Sequence, residues 1–257
     1  MTAAKTIIVT GASRGIGAVI TNYLLTTTTT PPPNLLLIAR SSPPFEVFKS
    51  QYPSRVEILA ADLADLSVAQ RAVALALERF GGRLDGMVIN HGILGSVTRL
   101  EDVDFEQWKK GVDVNFLSAV AFVKASIPHL RATKGRIIFT SSGAATSAVT
   151  GWGLYGSTKA ALNHLNTTLA CEEPEITSIA IRPGMVDTQM QDELRANHMD
   201  VLGPEHGARF ANAHKEGKLL RPELPGHVIA KLVLDAPHEL SGKFLTWNVP
   251  ELAAFQE

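Results

Sequence analysis

Two side chains able to move protons stand four residues apart in the stretch GWGLYGSTKAALNHL, residues 151–165: Tyr155 and Lys159. Four residues make about one helical turn, so a helix here puts the phenol and the ammonium on one face. Leu162 and Leu169 fall near the same angle at about 3.6 residues per turn, and Leu165 flanks them. The apolar stripe therefore begins with a tyrosine and a lysine. A free phenol titrates at about pH 10, and a fixed cation beside it is expected to lower that value. Such a phenol can hand a proton to an oxygen gaining negative charge, and its phenolate can take one back. Ser142 lies thirteen residues before Tyr155, at the end of a β-type run, and could hydrogen-bond the same oxygen. Ser141 is its rival, since alternation along a strand lets only one of the pair face a site. Asn115, an amide inside the apolar run VDVNFLSAVAFV, needs hydrogen-bond partners where it is buried.

These groups need a scaffold, and the spacing of apolar runs supplies one. Near-continuous β-type runs occupy 5–10, 35–39, 55–60, 84–90, 135–142, 177–183 and 242–248. Runs apolar at every position suit strands covered on both faces of a parallel sheet. Helical spacing falls between them, near 16–25, 67–80, 101–110, 112–131, 155–171 and 223–234. The alternation predicts a single α/β domain over 1–257: a Rossmann-type, doubly wound, seven-stranded parallel sheet with helices on both faces. Two segments break the rhythm. TTTTTPPPN, residues 26–34, reads as a surface connection, because prolines cannot extend a helix. Residues 188–222 form a long excursion between the last two strands, and connections of that length are usually functional or mobile. This one is expected to act as a lid on the substrate.

The first strand runs into TGASRGIG, with glycines at 11, 15 and 17, and then a helix. Glycines let a backbone turn sharply and approach a pyrophosphate. The helix start offers unpaired N–H groups to the anion. The second strand ends LLLIARSS, so Ala39 and Arg40 stand where a carboxylate would select the ribose 2′-hydroxyl of NAD. A guanidinium can instead clamp a 2′-phosphate, and Arg14 supplies a second cation. The expected cofactor is NADP(H). A dinucleotide along the strand ends would bring its nicotinamide ribose within reach of an inward Lys159.

Composition narrows the classes. Net charge is −1 over 257 residues, which gives no electrostatic footprint for nucleic acid or an acidic membrane surface. No apolar run is read as approaching the roughly 20 residues of a membrane helix. The N-terminal residues lead directly into the first strand, leaving no room for a signal peptide. The only cysteine, Cys171, excludes an internal disulfide framework, suits a reducing compartment and reads as a small packed side chain. The expected location is the cytoplasm. The sequon Asn166-Thr167-Thr168 falls in a helix and is discounted.

Together these motifs resemble the short-chain dehydrogenase/reductase family over almost the whole chain. Thr10 to Gly17 match its glycine turn, Asp62 its adenine-contacting acid, and RPGMVDT, residues 182–188, its nicotinamide-binding segment. NHG, residues 90–92, stands where N-A-G is usual, so His91 is a departure; it either borders the nicotinamide or is a hydrogen-bonded core histidine. The resemblance implies catalysis by Ser142, Tyr155, Lys159 and Asn115, with Asn115 supporting a proton relay. It implies cofactor contacts from Gly11, Ser13, Arg14, Gly15, Ile16 and Gly17 in the turn, then Arg40, Asp62 and Leu63, and Asn90 and Gly92, with Asn90 mainly bracing the sheet. Tyr155 and Lys159 join them, as do Pro183, Gly184, Val186 and Thr188. It implies no metal. Within the family, GWGLYGSTKAALNH, EEPE and RPGMVDTQMQ are similar to benzil reductases and sepiapterin reductases. That implies reduction of a ketone or vicinal diketone to a hydroxyketone. Leu94, Trp152, Met185 and Met190 are expected to line the substrate pocket. The resemblance also implies a homodimer or homotetramer. A dehydrogenase working mainly in the oxidative direction, or a non-catalytic NADPH-sensing protein, would share the cofactor motifs.

Overall fold

The computed structural model describes residues 3–41 and 43–256. Seven strands form one parallel sheet: β1 (Thr6–Thr10), β2 (Asn34–Ala39), β3 (Val56–Ala60), β4 (Gly86–Ile89), β5 (Arg136–Thr140), β6 (Thr177–Arg182) and β7 (Phe244–Thr246). Their order is β3-β2-β1-β4-β5-β6-β7. The order reverses between β1 and β4, where Val9 lies opposite Val88. The carboxyl ends of strands at such a reversal open the crevice in which doubly wound sheets bind ligands. Burial explains the apolar runs. β1 and β4 are buried at every residue, whereas the edge strand β7 is only half-buried.

Helices cover both faces. On one side α1 (Gly15–Thr26) packs against α9 (Glu223–Asp235), and Ile7, Val9 and Ile179 join their core. On the other side α3 (Ser67–Arg79), α5 (Ser118–Thr133) and α6 (Gly153–Glu172) enclose Ile8, Met87 and Phe139. The side-chain alternation of each strand thus feeds two cores. A third cluster forms above the sheet, where the excursion folds into α7 (Gln189–Asn197) and α8 (Met199–Lys215). Leu194, Leu202 and Phe210 pack there on Leu94, Val97 and Tyr155. The excursion's two ends are held together by the Leu220 amide donating to the Met185 carbonyl and the Asp187 amide donating to the Leu220 carbonyl, each at 2.8 Å.

Several sequence readings need correction. The helix expected to break near residue 111 runs from α4 (Phe105–Val112) through a π turn (Asp113–Leu117) into α5. By length and composition this Phe105–Thr133 run could cross a membrane. Its Ala119, Phe122 and Leu130 are instead buried against the sheet, as in an ordinary core helix. α2 (Pro43–Gln51) and the short α10 (Ala253–Gln256) were not legible in the spacing. Cys171, read as packed, is exposed at the end of α6, because the stripe of that helix turns Leu169 inward instead. Of the Thr/Pro tract, Thr26 closes α1 and Asn34 opens β2; residues 27–33 form a connection without regular structure, held by Arg55 donating to the Pro33 and Leu25 carbonyls at 3.1 and 3.3 Å.

Candidate active site

A cleft of about 620 Å³ runs along the carboxyl ends of β1, β2, β4, β5 and β6 and under α7 and α8. At one end lies the glycine turn. Gly11 has φ +62°, and a β-carbon there would meet the His91 backbone at 2.8 Å. At Gly17 a β-carbon would lie 2.1 Å from the Gly11 carbonyl oxygen, so only glycine lets α1 start this close to β1. The first turn of α1 carries no acidic residue, and its N-cap, Arg14, makes no side-chain capping bond. Its amide groups are therefore free to meet an anion. The charge of the walls points the same way. Arg14, Arg40, Lys110, Lys159, Arg182 and Arg209 line the cleft against only Asp62 and Glu193. These features fit a dinucleotide's phosphates.

The cleft brings together nearly every residue singled out from the sequence. Ser13, Ile16, Asp62, Leu63, Gly92, Pro183, Gly184, Val186 and Thr188 all line it, with Gly11, Arg14, Gly15 and Arg40. Gly17 and Asn115 do not, being one layer behind. Arg40 is exposed at the end of β2, whereas Arg14 Nη1 donates to Gln189 Oε1 at 2.5 Å and so ties the glycine turn to α7. Asn90 braces the sheet. Its amide nitrogen donates to the Gly11 carbonyl at 3.2 Å, and its oxygen accepts from the Thr140 hydroxyl at 3.2 Å.

At the other end, α6 delivers Tyr155 and Lys159 inward, 8% and 3% exposed. The strand end places the two rival serines differently. Ser141 Oγ donates to Asn163 Oδ1 at 2.6 Å and is committed to α6. Ser142 Oγ accepts from the Ala144 amide at 3.2 Å, and its O–H is directed at the Tyr155 phenol, which favours the phenolate. Lys159 Nζ donates to the Thr140 carbonyl at 2.7 Å and sits 5.7 Å from the Tyr155 ring centre.

The electrostatics correct one expectation. The Tyr155 phenol is raised above its ordinary value, not lowered: burial disfavours phenolate, and the Ser142 hydrogen bond opposes this only in part. Lys159 is itself pushed down to about 8 by burial.

Asn115 sits in the π turn, 1% exposed. Its Oδ1 accepts from the Ile93 amide and its Nδ2 donates to the Ile93 carbonyl, both at 2.9 Å. Gly92 lies between this amide and Lys159; a β-carbon at Gly92 would be 3.5 Å from both Asn115 Oδ1 and Lys159 Nζ. His91 lines the cleft and is also a fully hydrogen-bonded core histidine. Burial first, and then the Lys159 charge, push its pKa down to about 3.

Opposite the polar end stands an apolar wall. Leu94, Trp152, Met185 and Met190 line it. Trp152 meets Tyr155 edge-on at 5.2 Å and Phe210 at 5.3 Å. Phe210, on α8, was missed because the helical spacing of the excursion went unrecognised. Met199 and Val149 also pack into this cluster.

Comparison with known proteins agrees with this geometry. The family model for short chain dehydrogenase matches residues 5–199. An uncharacterized oxidoreductase of Saccharomyces cerevisiae, YIR035C, is 37% identical over 253 residues, covering 98% of both chains. A benzil reductase ((S)-benzoin forming) of the same yeast is 35% identical, covering 98% of this chain and 99% of its own. The crystal structure of YIR035C superposes with a TM-score of 0.94, covering 99% of this chain and 100% of that one. A second S. cerevisiae structure, of a cytoplasmic protein with unknown function, is 36% identical with a TM-score of 0.82, covering 99% and 100%. A short chain dehydrogenase of Burkholderia cenocepacia in complex with NADP is 26% identical with a TM-score of 0.78, covering 95% and 96%. The chain belongs to the short-chain dehydrogenase/reductase family of nicotinamide-dependent oxidoreductases.

Proposed function

We propose that this protein is an NADPH-dependent carbonyl reductase that converts a ketone or vicinal diketone into the corresponding alcohol or hydroxyketone, as a benzil reductase does. The observation that carries this reading is the phenol of Tyr155 at the junction of two surfaces, the cationic groove and the apolar wall of Trp152 and Phe210. The groove suits a phosphorylated dinucleotide, with Arg40 free for a 2′-phosphate and no acid at Ala39 to repel it. The wall suits an aryl group.

The nicotinamide, when bound, supplies the hydride. The chain supplies the proton and the geometry. Burial keeps Tyr155 protonated at neutral pH, which is the state needed to donate to a carbonyl oxygen gaining charge. Ser142 turns its O–H from the phenol to that oxygen. Lys159 holds the ribose and a positive charge one turn away. Asn115, fixed through Ile93 beside Lys159, supports resupply of the proton. α7 and α8 act as the lid that excludes water. Homologous enzymes (benzil reductase among them) support the substrate class. The reading extends to a cytoplasmic homodimer or homotetramer formed through α5 and α6.

The test is loss of NADPH absorbance with aryl diketones, alkyl diketones and simple ketones. Tyr155→Phe is expected to lower turnover roughly 10²–10⁴-fold while NADPH affinity stays within a few-fold. Wild-type turnover in that variant would remove the proton-donor role. Tight NADPH binding with no turnover across the panel would favour a binding protein.

A further inference from the structure

The sequence departs from its family at His91, and the structure surrounds that ring with partners on two elements. On one side, Nδ1 lies 2.7 Å from the Thr10 hydroxyl at the end of β1. On the other, Nε2 lies 3.1 Å from the Val114 carbonyl and 2.6 Å from Ser118 Oγ. The π turn explains why that carbonyl is available. The Ser118 amide bonds the Asp113 carbonyl, five residues back, so the Val114 carbonyl loses its regular helical donor. Ser118 Oγ reaches it at 2.6 Å and His91 Nε2 at 3.1 Å. A carbonyl only accepts, so the bond to Val114 requires the proton on Nε2. The Thr10 hydroxyl, 2.7 Å from Nδ1 and 3.1 Å from the Val88 carbonyl, then gives its one proton to Nδ1 across the shorter contact.

The next two residues carry the arrangement to the site. Gly92 separates Asn115 from Lys159, and Ile93 holds the Asn115 amide through both its backbone groups. The segment from 91 to 93 is thus a wedge between the glycine turn and the π turn.

We propose that His91 is a positioning residue: as a neutral imidazole protonated on Nε2, it fastens the carbonyl freed by the π turn to the end of β1 and so holds Asn115 in register with Lys159. The inference rests on the reductase reading for its kinetic consequence, not for its geometry. A second charge this close to Lys159 would be repelled, which is why a neutral ring suits the place.

Two near-isosteric variants separate the two sides of the ring. His91→Gln keeps an N–H that reaches Val114, whereas His91→Asn keeps a group facing Thr10 and falls short of the helix. The kcat for diketone reduction is expected within about threefold of wild type for Gln and roughly tenfold lower for Asn and Ala, with KM for NADPH and ketone little changed. Hydrogen exchange at the Ser118 amide should follow the same order, slow in wild type and Gln, fast in Asn and Ala. Equal behaviour of Gln and Asn would overturn the proposal, because general loss of packing would not tell them apart. On the unaltered protein, two-bond ¹H–¹⁵N spectra should show the Nε2–H tautomer; an Nδ1–H ring would overturn the proposal even if no variant folds. Absence of turnover by the wild-type protein would sink the reductase reading instead, and exchange and tautomer would still decide the role of His91.

Discussion

The two walls of the cleft are built on opposite plans. On the sheet side, polar groups are paired at short range: Asn90 to Gly11, Asn115 to Ile93, His91 to Thr10 and Ser118, Lys159 to Thr140. On the side of α7 and α8, the lining is aromatic and thioether, and Trp152 Nε1 and Gln191 Oε1 are buried without a hydrogen-bond partner among the described residues. An unpaired buried group costs about 1–3 kcal/mol. Methionine side chains, with three rotatable bonds, adapt to irregular shapes. On the proposed reading the difference assigns labour: one wall fixes reacting groups to within small tolerances, and the other accommodates whatever carries the carbonyl. Substitutions on the first wall should be severe and independent of substrate. Those on the second should be milder and should depend on it.

The largest expected effect breaks the first wall at its base. In Gly17→Ala the new methyl would lie 2.1 Å from the Gly11 oxygen and 2.7 Å from Asn90 Nδ2. The turn must shift, at a cost of about 3 kcal/mol or more, and NADPH binding should be lost with it. Calorimetric Tm and cofactor titration report both; native values in both would mean that the turn is looser than its geometry. Next comes Arg40→Asp. A charge-assisted pair to a phosphate contributes about 1.5–3 kcal/mol, so preference for NADPH over NADH should fall roughly 10–100-fold. An unchanged ratio would leave Arg40 as a solvated side chain.

The second wall responds differently. Trp152→Ala removes the ring lying between Tyr155 and Phe210. The kcat/KM for an aryl diketone should fall about tenfold, equal to about 1.4 kcal/mol, while that for a dimethyl diketone changes less than about twofold. Equal losses for both substrates would mean that Trp152 supports Tyr155 rather than the substrate.

The two walls also differed in how far the sequence revealed them. The strands, the glycine turn, Tyr155 with Lys159, and Ser142 were legible because each depends on short-range spacing: a period, a turn or a strand end. The lid was not. Its α8 has non-helical geometry at Gly203 followed by Pro204, so the helical spacing that carries Phe210 is interrupted, and the segment read as an irregular excursion. The π turn was hidden for another reason. Nothing local marks it; it is held by Ile93, some twenty residues away. The pKa of Tyr155 was misjudged because spacing shows a neighbouring charge, whereas burial is a property of the finished fold. His91 stayed ambiguous for the same reason, its partners lying on β1 and α5.

A last test examines how firmly the first wall is held together, with an effect that vanishes at neutral pH and grows only on acidification. In the unfolded chain the imidazole titrates near 6.5, and in the fold it is held down to about 3. Between these values the unfolded state binds a proton that the folded state refuses. His91 therefore stabilises the fold fully only above about pH 6.5, and its contribution is lost progressively as pH falls towards 3, by up to about 1.4 kcal/mol per pH unit. His91→Gln cannot titrate. Carboxylates elsewhere contribute equally to both proteins, so they cancel in the difference. Urea unfolding of the pair at pH 7, 6, 5 and 4 should show wild type losing ground to the variant below about pH 6 at close to that slope. A difference that stays flat across the series would mean that the ring accepts a proton inside the fold. The wall would then tolerate a second cation beside Lys159, and its tight pairing could not be what keeps His91 neutral.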